Sequence, residues 1–280
     1  MKTLVIGTRG SKLALTQANY VKNLLEEEGF SSEIKIIKTS GDMNQNIFQE
    51  LPLKKLFVKE IEEELLSGTI DLAVHSMKDM PYDEVEGLTI GAFPQREDPR
   101  DAMIVRHHPD TVKIIGTGSE RRKVQLLDIY NEVEIKPIRG NVDTRILKMQ
   151  EGQYDAIILA AAGLKRLGLD NMISKYFEVD EMVPSPCQGI LGIQCRENDV
   201  LVKNILTNID KPELRKIVTI ERLFGKIHNG GCKAPIGAYA EIQGDMARVW
   251  IMKYTDKVIK NEIIGKADDI EFFYNEFIKF

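Results

Sequence analysis

The chain has 280 residues, a length that suits two domains, each able to bury its own core. Apolar residues make up 43% and charged residues 29% of it, which excludes a disordered chain. The net charge of −5 excludes a globally basic nucleic-acid binder, and no apolar run reaches the ~18 residues of a membrane span. The opening MKTLVIGTRG lacks the pattern of a secretory signal peptide. We expect a folded protein without nucleic-acid or membrane partners.

Strand-like and helix-like segments alternate through the first ninety residues. Three segments rich in apolar and β-branched residues predict strands: TLVIGT (3–8), EIKIIKT (33–39) and TIDLAVHS (69–76). Leu13, Val21 and Leu25 stand at helical spacing and predict a helix that ends at Gly29; a second helix is predicted over 56–68. This βαβαβ order is typical of a sheet covered by helices. Residues 41–55 show no period and predict a long loop or lid.

A second series of the same kind begins near Asp101. Its predicted helices cover about 119–129 and 142–149. Its predicted strands are DAMIVR (101–106), VKIIGTG (112–118), EVEIKPI (132–138) and YDAIILAAAG (154–163). Proline-containing segments flank the series, FPQREDPRD (93–101) before it and MVPSPCQG (182–189) after it. Two α/β lobes joined by two crossings predict a cleft, which is the usual place for a ligand.

The remainder of the chain predicts a small α+β domain. A helix follows Pro212, and a terminal amphipathic helix covers 270–280. Between them lie three predicted strands, APIGAYAEI (234–242), MARVWIMKYT (246–255) and KVIKNEIIG (257–265). We therefore predict an α/β fold of two lobes and a C-terminal domain. The predicted boundaries are 1–96 with 187–207, 97–186, and 208–280.

Arginine is concentrated in one part of the sequence. Eight of the 13 arginines but only five of the 25 lysines lie between residues 96 and 166. A guanidinium group binds carboxylates and phosphates in a bidentate manner, so this preference predicts a ligand with several anionic groups. Surface arginines paired with nearby glutamates are the alternative. The candidate ligand-binding residues are Arg121, Arg122, Arg139, Arg145 and Arg166.

Two further segments follow predicted strands and carry polar residues. In GTRGS (7–11), glycines turn the chain into a helix with Ser11 as a candidate N-cap, and the spacing does not match a dinucleotide motif. In HSMKDMP (75–81), polar side chains stand at the carboxyl edge of a strand, where open α/β sheets bind ligands. In an extended chain Lys78 and Asp79 would point apart, one to an anion and the other to positive charge in a ligand. A capped turn and a structural ion pair are the respective alternatives.

The three cysteines are an odd set, which argues against a disulfide framework and favours a reducing cytoplasm. We predict that Cys187 and Cys195 are buried and inert. Cys232 lies in HNGGC, where paired glycines allow close approach of a bound or attached group. Three neighbours favour its thiolate: Lys226, His228 and Lys233. No Cys-x-x-Cys pair is present, so we predict no metal.

Taken together and in order, eight motifs resemble the hydroxymethylbilane synthase (porphobilinogen deaminase) family. They are GTRGSKLALTQA, LFVKE, DLAVHSMKDMP, GTGSERR, RGNVDTR, DAIILAAAGLKRLG, QGILGIQCR and GGCKAPIGAYA. The resemblance implies two periplasmic-binding-protein-like lobes around a cleft, a small α+β C-terminal domain, and a cytoplasmic monomer. It also implies head-to-tail condensation of four porphobilinogen molecules with release of ammonia. Water then releases the growing pyrrole chain as hydroxymethylbilane.

The same resemblance implies roles for individual residues. Cys232 would carry a dipyrromethane cofactor through a thioether, and Asp79 would be the catalytic carboxylate. The implied cofactor contacts are Lys78, Ser119, Arg121, Arg122, Arg139 and Arg145. The implied substrate contacts are Arg9, Ser11, Gln17, Phe57 and Arg166.

The sequence departs from the family pattern at several positions. LPLKK stands where the family has GGKG, and GTGSERR stands where it has GTSSLRR, so Gly118 supplies no hydroxyl group.

Two rival hypotheses come from other classes of protein. One is a two-lobed cytoplasmic protein that binds polycarboxylates; the other is a thiol or zinc enzyme that uses Cys232 and His228.

Overall fold

The computed structural model describes residues 2–40, 58–228 and 235–280. The described strands are β1 (Leu4–Thr8), β2 (Ser32–Ile36), β3 (Leu72–Ser76), β4 (Leu88–Ala92), β5 (Asp101–Val105), β6 (Ile114–Gly116), β7 (Glu134–Lys136), β8 (Ala156–Ala160), β9 (Lys175–Phe177), β10 (Leu191–Arg196), β11 (Ile236–Gln243), β12 (Met246–Tyr254) and β13 (Val258–Lys266). The described helices are α1 (Lys12–Glu27), α2 (Lys59–Leu66), α3 (Glu120–Ile129), α4 (Val142–Gln150), α5 (Ala161–Arg166), α6 (Val200–Leu206), α7 (Pro212–Ile227) and α8 (Ile270–Lys279). None of these helices has the length and apolar character needed to cross a membrane.

The chain forms two compact units. Unit 1 comprises Met1–Arg96 and Ile190–Arg215, and unit 2 comprises Glu97–Gly189 and Lys216–Phe280. The predicted fold class, α/β with a small C-terminal sheet, is confirmed. The division into three domains, with residues 208–280 as a domain of their own, stays a prediction.

Unit 1 is built on a five-stranded mixed sheet in the order β2-β1-β3-β10-β4. β1 runs parallel to β2 and β3, and β10 runs antiparallel to both β3 and β4. Side chains alternate between the two faces, as a strand requires: Leu4 and Ile6 pack with α1 and α6, whereas Val5 packs with α2. Each face is therefore covered by helices.

Helix α1 begins and ends where the sequence predicts. The Ser11 hydroxyl oxygen accepts a hydrogen bond from the Ala14 N–H at 3.3 Å, which satisfies one of the free N–H groups of the first turn. Gly29 follows the helix with φ of +83°, in the left-handed region that favours glycine. The prediction of Ser11 as the N-cap is thus confirmed.

Unit 2 contains a second five-stranded sheet, in the order β7-β6-β8-β5-β9. β6 runs parallel to β7 and β8, and β5 runs antiparallel to β8 and β9. One predicted boundary is wrong, because β8 ends at Ala160 and the last residues of YDAIILAAAG begin α5. Alanine has the highest helix propensity, and Ala161 and Leu164 are buried one helical turn apart.

The C-terminal part of unit 2 contains an antiparallel sheet, β11-β12-β13. Helix α7 contacts β11 through Glu221, and helix α8 lies against Gly265 of β13 through Phe272 and Phe273. Phe224 from α7 meets Phe277 from α8 edge to face, with ring centroids 5.2 Å apart. The sheet also contacts the segment before Cys187: the Ala238 N–H donates to the Pro184 carbonyl oxygen at 2.9 Å. A Cβ atom on Gly237 would lie 2.8 Å from the Val183 carbonyl oxygen, so this close approach requires glycine.

Candidate active site

Asp79 lies just beyond the carboxyl end of β3 in unit 1. Residues Met77–Asp79 form a 3₁₀ turn, so the extended conformation expected for Lys78 and Asp79 is wrong. Within this turn the Met77 side chain is buried against Gly192, where a Cβ atom would collide with the Met77 sulfur. Asp79 is exposed and Lys78 is half-buried. The turn therefore presents the predicted catalytic carboxylate to solvent.

Gln17 connects helix α1 to this strand end. Its Nε2 donates to the Ser76 hydroxyl oxygen at 3.0 Å, and the Gln17 side chain is buried. Ser76 immediately precedes the turn that carries Asp79. Gln17, a predicted substrate contact, thus fixes the end of β3, and Arg9 and Ser11 precede α1 on the same segment of chain. Whether these three also bind substrate stays a prediction.

The sequence predicted His75 among the polar groups at the strand edge, and this prediction is wrong. His75 is buried, and its Nε2 lies 3.1 Å from Gln194 Oε1 on β10. Gln194 Nε2 in turn donates to Glu62 Oε1 on α2 at 3.1 Å. Because Gln194 accepts through Oε1, His75 Nε2 carries the proton. Three elements of unit 1 are joined below the turn by this buried hydrogen-bonded chain.

The burial of His75 predicts a pH-dependent stability. Burial disfavours the imidazolium and lowers the pKa of His75 from 6.5 to about 4, although the Gln194 hydrogen bond acts in the opposite direction. The unfolded chain takes up a proton at higher pH than the folded chain, so stability falls as the pH drops from 6.5 towards 4. Over that window we expect a loss of about 3 kcal/mol.

Chemical unfolding of the wild type and of His75→Gln between pH 7.5 and 4.5 measures this effect. Gln can still donate to Gln194 but does not titrate, so the variant should lose less stability on acidification. His228 is half-buried with a lowered pKa and is present in both proteins, so the comparison isolates His75. Equal pH dependence in the two proteins would contradict the assignment.

The paired arginines of GTGSERR lie at the start of α3 in unit 2. Ser119 is the N-cap, and its hydroxyl oxygen accepts from the Arg122 N–H at 3.4 Å. Arg121 and Arg122 are only 4% and 6% exposed. Both form ion pairs with Asp101 on β5, from Arg121 Nη1 to Oδ2 at 2.7 Å and from Arg122 Nη2 to Oδ1 at 2.7 Å. The sequence predicted the arginines as ligand contacts but missed their internal partner.

Asp101 is fully buried and has a further donor. Gln188 Nε2 donates to Asp101 Oδ1 at 2.9 Å and to the Pro99 carbonyl oxygen at 2.8 Å. Burial by itself would raise the pKa of Asp101, but the guanidinium groups of Arg121 and Arg122 hold it well below its usual range. The carboxylate is therefore charged, and the two arginines retain one net positive charge. We call these three residues the Arg-Asp-Arg cluster.

Gly118 lies directly before the N-cap of α3, where the backbone of Ile138 leaves room for no side chain. A Cβ atom there would lie 2.7 Å from the Ile138 carbonyl oxygen, closer than such atoms approach in proteins. The serine that the family pattern has at this position would require Ile138 to move. The absence of a hydroxyl group at residue 118 is thus matched by the backbone around it.

The other predicted anion-binding residues of unit 2 lie near helix ends. Gly140 has a φ of +116° and turns the chain into α4, and Arg145 Nε donates to its carbonyl oxygen at 2.7 Å. Arg139 is exposed, on the other side of the same glycine. Arg166, the last residue of α5, donates from Nη2 to the Gly189 carbonyl oxygen at 2.7 Å. These contacts orient Arg145 and Arg166 through neutral acceptors.

Two predicted site residues, Phe57 and Cys232, lie outside the described residues, as do the predicted lid and Lys233. The elements on either side of Cys232, helix α7 and strand β11, are described. Glu221 on α7 connects the two through a hydrogen bond. Its Oε1 accepts from the Ala240 N–H on β11 at 2.7 Å, and its Oε2 accepts from the Cys187 N–H at 2.5 Å.

The remaining cysteines are buried, as predicted. Burial raises the pKa of the Cys195 thiol to about 11, which makes it a poor nucleophile. Cys187 has a φ of +62°, in the region that favours glycine. His228, proposed from the sequence as a neighbour that activates Cys232, packs against Phe224 with ring centroids 4.5 Å apart and lies 3.1 Å from the Phe277 carbonyl oxygen. It is thus part of the aromatic core of the C-terminal region.

The structure is a mixed α/β fold with an exposed carboxylate at a strand end in unit 1 and a cluster of two arginines and one aspartate at a helix start in unit 2. The family model described as "Porphobilinogen deaminase, dipyromethane cofactor binding domain" matches residues 4–204. A porphobilinogen deaminase of Fusobacterium nucleatum is 44% identical and covers 99% of this chain and 98% of its own. One from Shouchella clausii is 46% identical, over 88% of this chain and 82% of the relative. The chain belongs to the porphobilinogen deaminase family and is a transferase.

Solved structures with a similar chain path include a periplasmic binding protein of Salmonella typhimurium described as having high arginine specificity. It is 15% identical, has a TM-score of 0.42, and the match covers 78% of this chain and 97% of that chain.

The family membership argues against the two rival hypotheses, a polycarboxylate-binding protein and a thiol or zinc enzyme.

Proposed function

We propose that this chain works as a hydroxymethylbilane synthase of tetrapyrrole biosynthesis, with Asp79 as its catalytic carboxylate and a dipyrromethane cofactor held on Cys232. It joins four porphobilinogen molecules head to tail with release of ammonia, and water then frees hydroxymethylbilane. The observation that carries this proposal is the 44% identity to the porphobilinogen deaminase of Fusobacterium nucleatum over 99% of the chain. The sequence also predicts a cytoplasmic monomer, and we propose both.

The chemistry of the donor set fits the cofactor. A dipyrromethane with acetate and propionate side chains is a polycarboxylate, and the Arg-Asp-Arg cluster retains one net positive charge in a buried place. Guanidinium groups bind carboxylates more strongly where water is excluded. The residues that we propose to hold the cofactor are Cys232, Lys78, Ser119, Arg121, Arg122, Arg139 and Arg145. When bound, the cofactor supplies the pyrrole α-carbon to which the first substrate is joined.

Substrate binding is assigned to a second set of residues. Each porphobilinogen brings two carboxylates and an aminomethyl group, so it requires cations for the former and a carboxylate near the latter. We assign these contacts to Arg9, Ser11, Gln17, Phe57 and Arg166. The Gln17 hydrogen bond to Ser76 supports this assignment, because it joins Gln17 to the residue that precedes the turn of Asp79.

Asp79 acts on charge and on protons. Asp79 first helps to move a proton to the aminomethyl nitrogen, so that the group leaves from its ammonium form. The C–N bond then breaks with its electron pair on nitrogen and ammonia leaves; the positive charge that develops on the substrate carbon is stabilised by the Asp79 carboxylate. The new C–C bond forms next, and the ring carbon then gives up its proton, for which an Asp79 oxygen is the acceptor. The exposed position of Asp79 at the end of the 3₁₀ turn supports both roles.

An assay with porphobilinogen tests the activity. We expect the purified chain to release one ammonia for each porphobilinogen consumed and to form a product of four pyrrole units. Binding of porphobilinogen without release of ammonia would contradict the proposal and would favour the polycarboxylate-binding alternative.

A further inference from the structure

Asp101 stands between the two arginines of GTGSERR, and no sequence motif points to it. Its side chain is completely buried, and its two oxygens are divided between the two guanidinium groups. Oδ2 faces Arg121, and Oδ1 faces Arg122 and Gln188. The position of Asp101 at the start of β5 is fixed by pairing of that strand with β8 and β9. The carboxylate is thus anchored to an inner strand of the unit 2 sheet.

The two arginines use this anchor differently. Arg122 is held through all three guanidinium nitrogens, with Nε and Nη2 on Asp101 and Nη1 on the Ile158 carbonyl oxygen at 3.1 Å. The polar contacts that the Arg121 side chain makes with the described residues all use Nη1, to Asp101 and to the Val183 carbonyl oxygen at 2.7 Å. Its Nε and Nη2 form the side of a guanidinium group that binds a carboxylate with two parallel hydrogen bonds.

Stability alone is a weak reason for such a cluster. A buried ion pair gains little net free energy over apolar residues of the same size, because both charges lose their hydration. Here two cations share one anion, so the cluster keeps a positive charge that only a further anion can neutralise. Without Asp101, the two adjacent guanidinium groups would repel each other and would lose the shared partner that fixes their orientation.

We propose that Asp101 is a positioning residue for the reaction of this chain: by holding Arg122 and the Nη1 end of Arg121, it directs the Nε–Nη2 side of Arg121 to a carboxylate of the cofactor. The proposal rests on the proposed function, in which the cofactor is attached to Cys232. Gln188 contributes by fixing Asp101 Oδ1.

A thermodynamic cycle separates positioning from a purely structural role. The Tm is measured for four proteins: the wild type, Cys232→Ser, Asp101→Asn, and the double variant. The wild type minus Cys232→Ser gives the gain in Tm from the attached cofactor. If Asp101 is only structural, Asp101→Asn lowers the Tm equally with and without the attached cofactor. If Asp101 positions Arg121, Asp101→Asn also reduces the gain in Tm that the cofactor provides.

We expect the gain in Tm to be smaller by about 2 to 6 °C with Asn at position 101, or the folded variant to take up no cofactor at all. Asp98→Asn is the matched control. Asp98 is a buried carboxylate three residues earlier, in ion pairs with Arg100 and Lys165 rather than with the cluster. Its replacement should lower both Tm values and leave the gain within about 1 °C of the wild type.

An unchanged gain with Asp101→Asn would overturn the proposal. If that variant yields no folded protein, Gln188→Met removes the donor to Asp101 Oδ1 while keeping the arginines and the volume; a reduced gain supports positioning, and an unchanged gain refutes it. Intact mass keeps this result separate from the proposed function. A wild type without attached cofactor refutes the attachment and the positioning together, whereas a loaded wild type with an unchanged gain refutes positioning only.

Discussion

Asp79→Asn is expected to reduce the turnover of porphobilinogen by about 100- to 10,000-fold while leaving the fold intact. Asparagine keeps the size of the side chain but has no negative charge and accepts no proton. Asp79 is the exposed last residue of the 3₁₀ turn, whereas Met77 is its buried residue, so replacement of Asp79 removes no core contact. The rate of ammonia release and the Tm, measured on the same preparation, test both parts of this expectation.

Glu84→Gln is the matched control. Glu84 is another exposed carboxylate five residues further along the same segment, and its neutralisation should leave the rate within about twofold. A near-normal rate for Asp79→Asn would remove Asp79 from the catalytic role. A loss of rate in both variants would point to the net charge of the segment rather than to Asp79.

Cys232→Ser is expected to abolish turnover. A serine oxygen is a much weaker nucleophile than a thiolate, so the pyrrole cofactor would not be attached and the first substrate would have no acceptor. The variant should fold, because the described elements around residue 232 are held by contacts that do not involve it, such as the Glu221 bonds to Cys187 and Ala240. Steady-state rates and circular dichroism measure the two effects.

Cys195→Ala is the control for general loss of a thiol. Cys195 is buried in the core of unit 1, where a smaller side chain leaves a small cavity. Its replacement should lower the free energy of unfolding by about 1 kcal/mol and preserve activity. A Cys232→Ser variant with more than about one-tenth of the wild-type rate would contradict the attachment site.

Local signals in the sequence predicted much of the fold. Ser11 and Gly29 mark the ends of α1 because capping and left-handed backbone are properties of single residues. The strands of the first series were predicted from apolar runs. β10 was not assigned, because nothing in the local pattern of QGILGIQCR says that it enters a sheet built from residues more than a hundred positions earlier.

The site was predicted less completely, and the errors share a cause. Periodicity reports which residues are polar, but it does not report whether a polar residue has an internal partner. His75 was placed at the strand edge with Asp79, yet Gln194 from β10 gives it a partner in the core. Asp101 is the last residue of the charged segment FPQREDPRD and also the first residue of the apolar strand DAMIV. A charged residue at the start of a buried strand needs an internal partner, and this is the signal that the sequence offered for Asp101.

Arginine enrichment is a signal of a different kind. It indicated guanidinium chemistry in unit 2 without saying which group each arginine contacts. The structure distinguishes Arg121 and Arg122, which share Asp101, from Arg145 and Arg166, which donate to backbone carbonyl groups. That difference depends on the packing of α3 against β5 and could not be read from the order of residues.

The mass of the purified, intact chain tests the central claim most directly. We predict that the active wild type is heavier than its sequence by two pyrrole units, and that the increment is absent from Cys232→Ser but present in Cys195→Ala. Active wild-type protein with the mass of the bare sequence would contradict the account, because the chain would then assemble its product without a cofactor on Cys232.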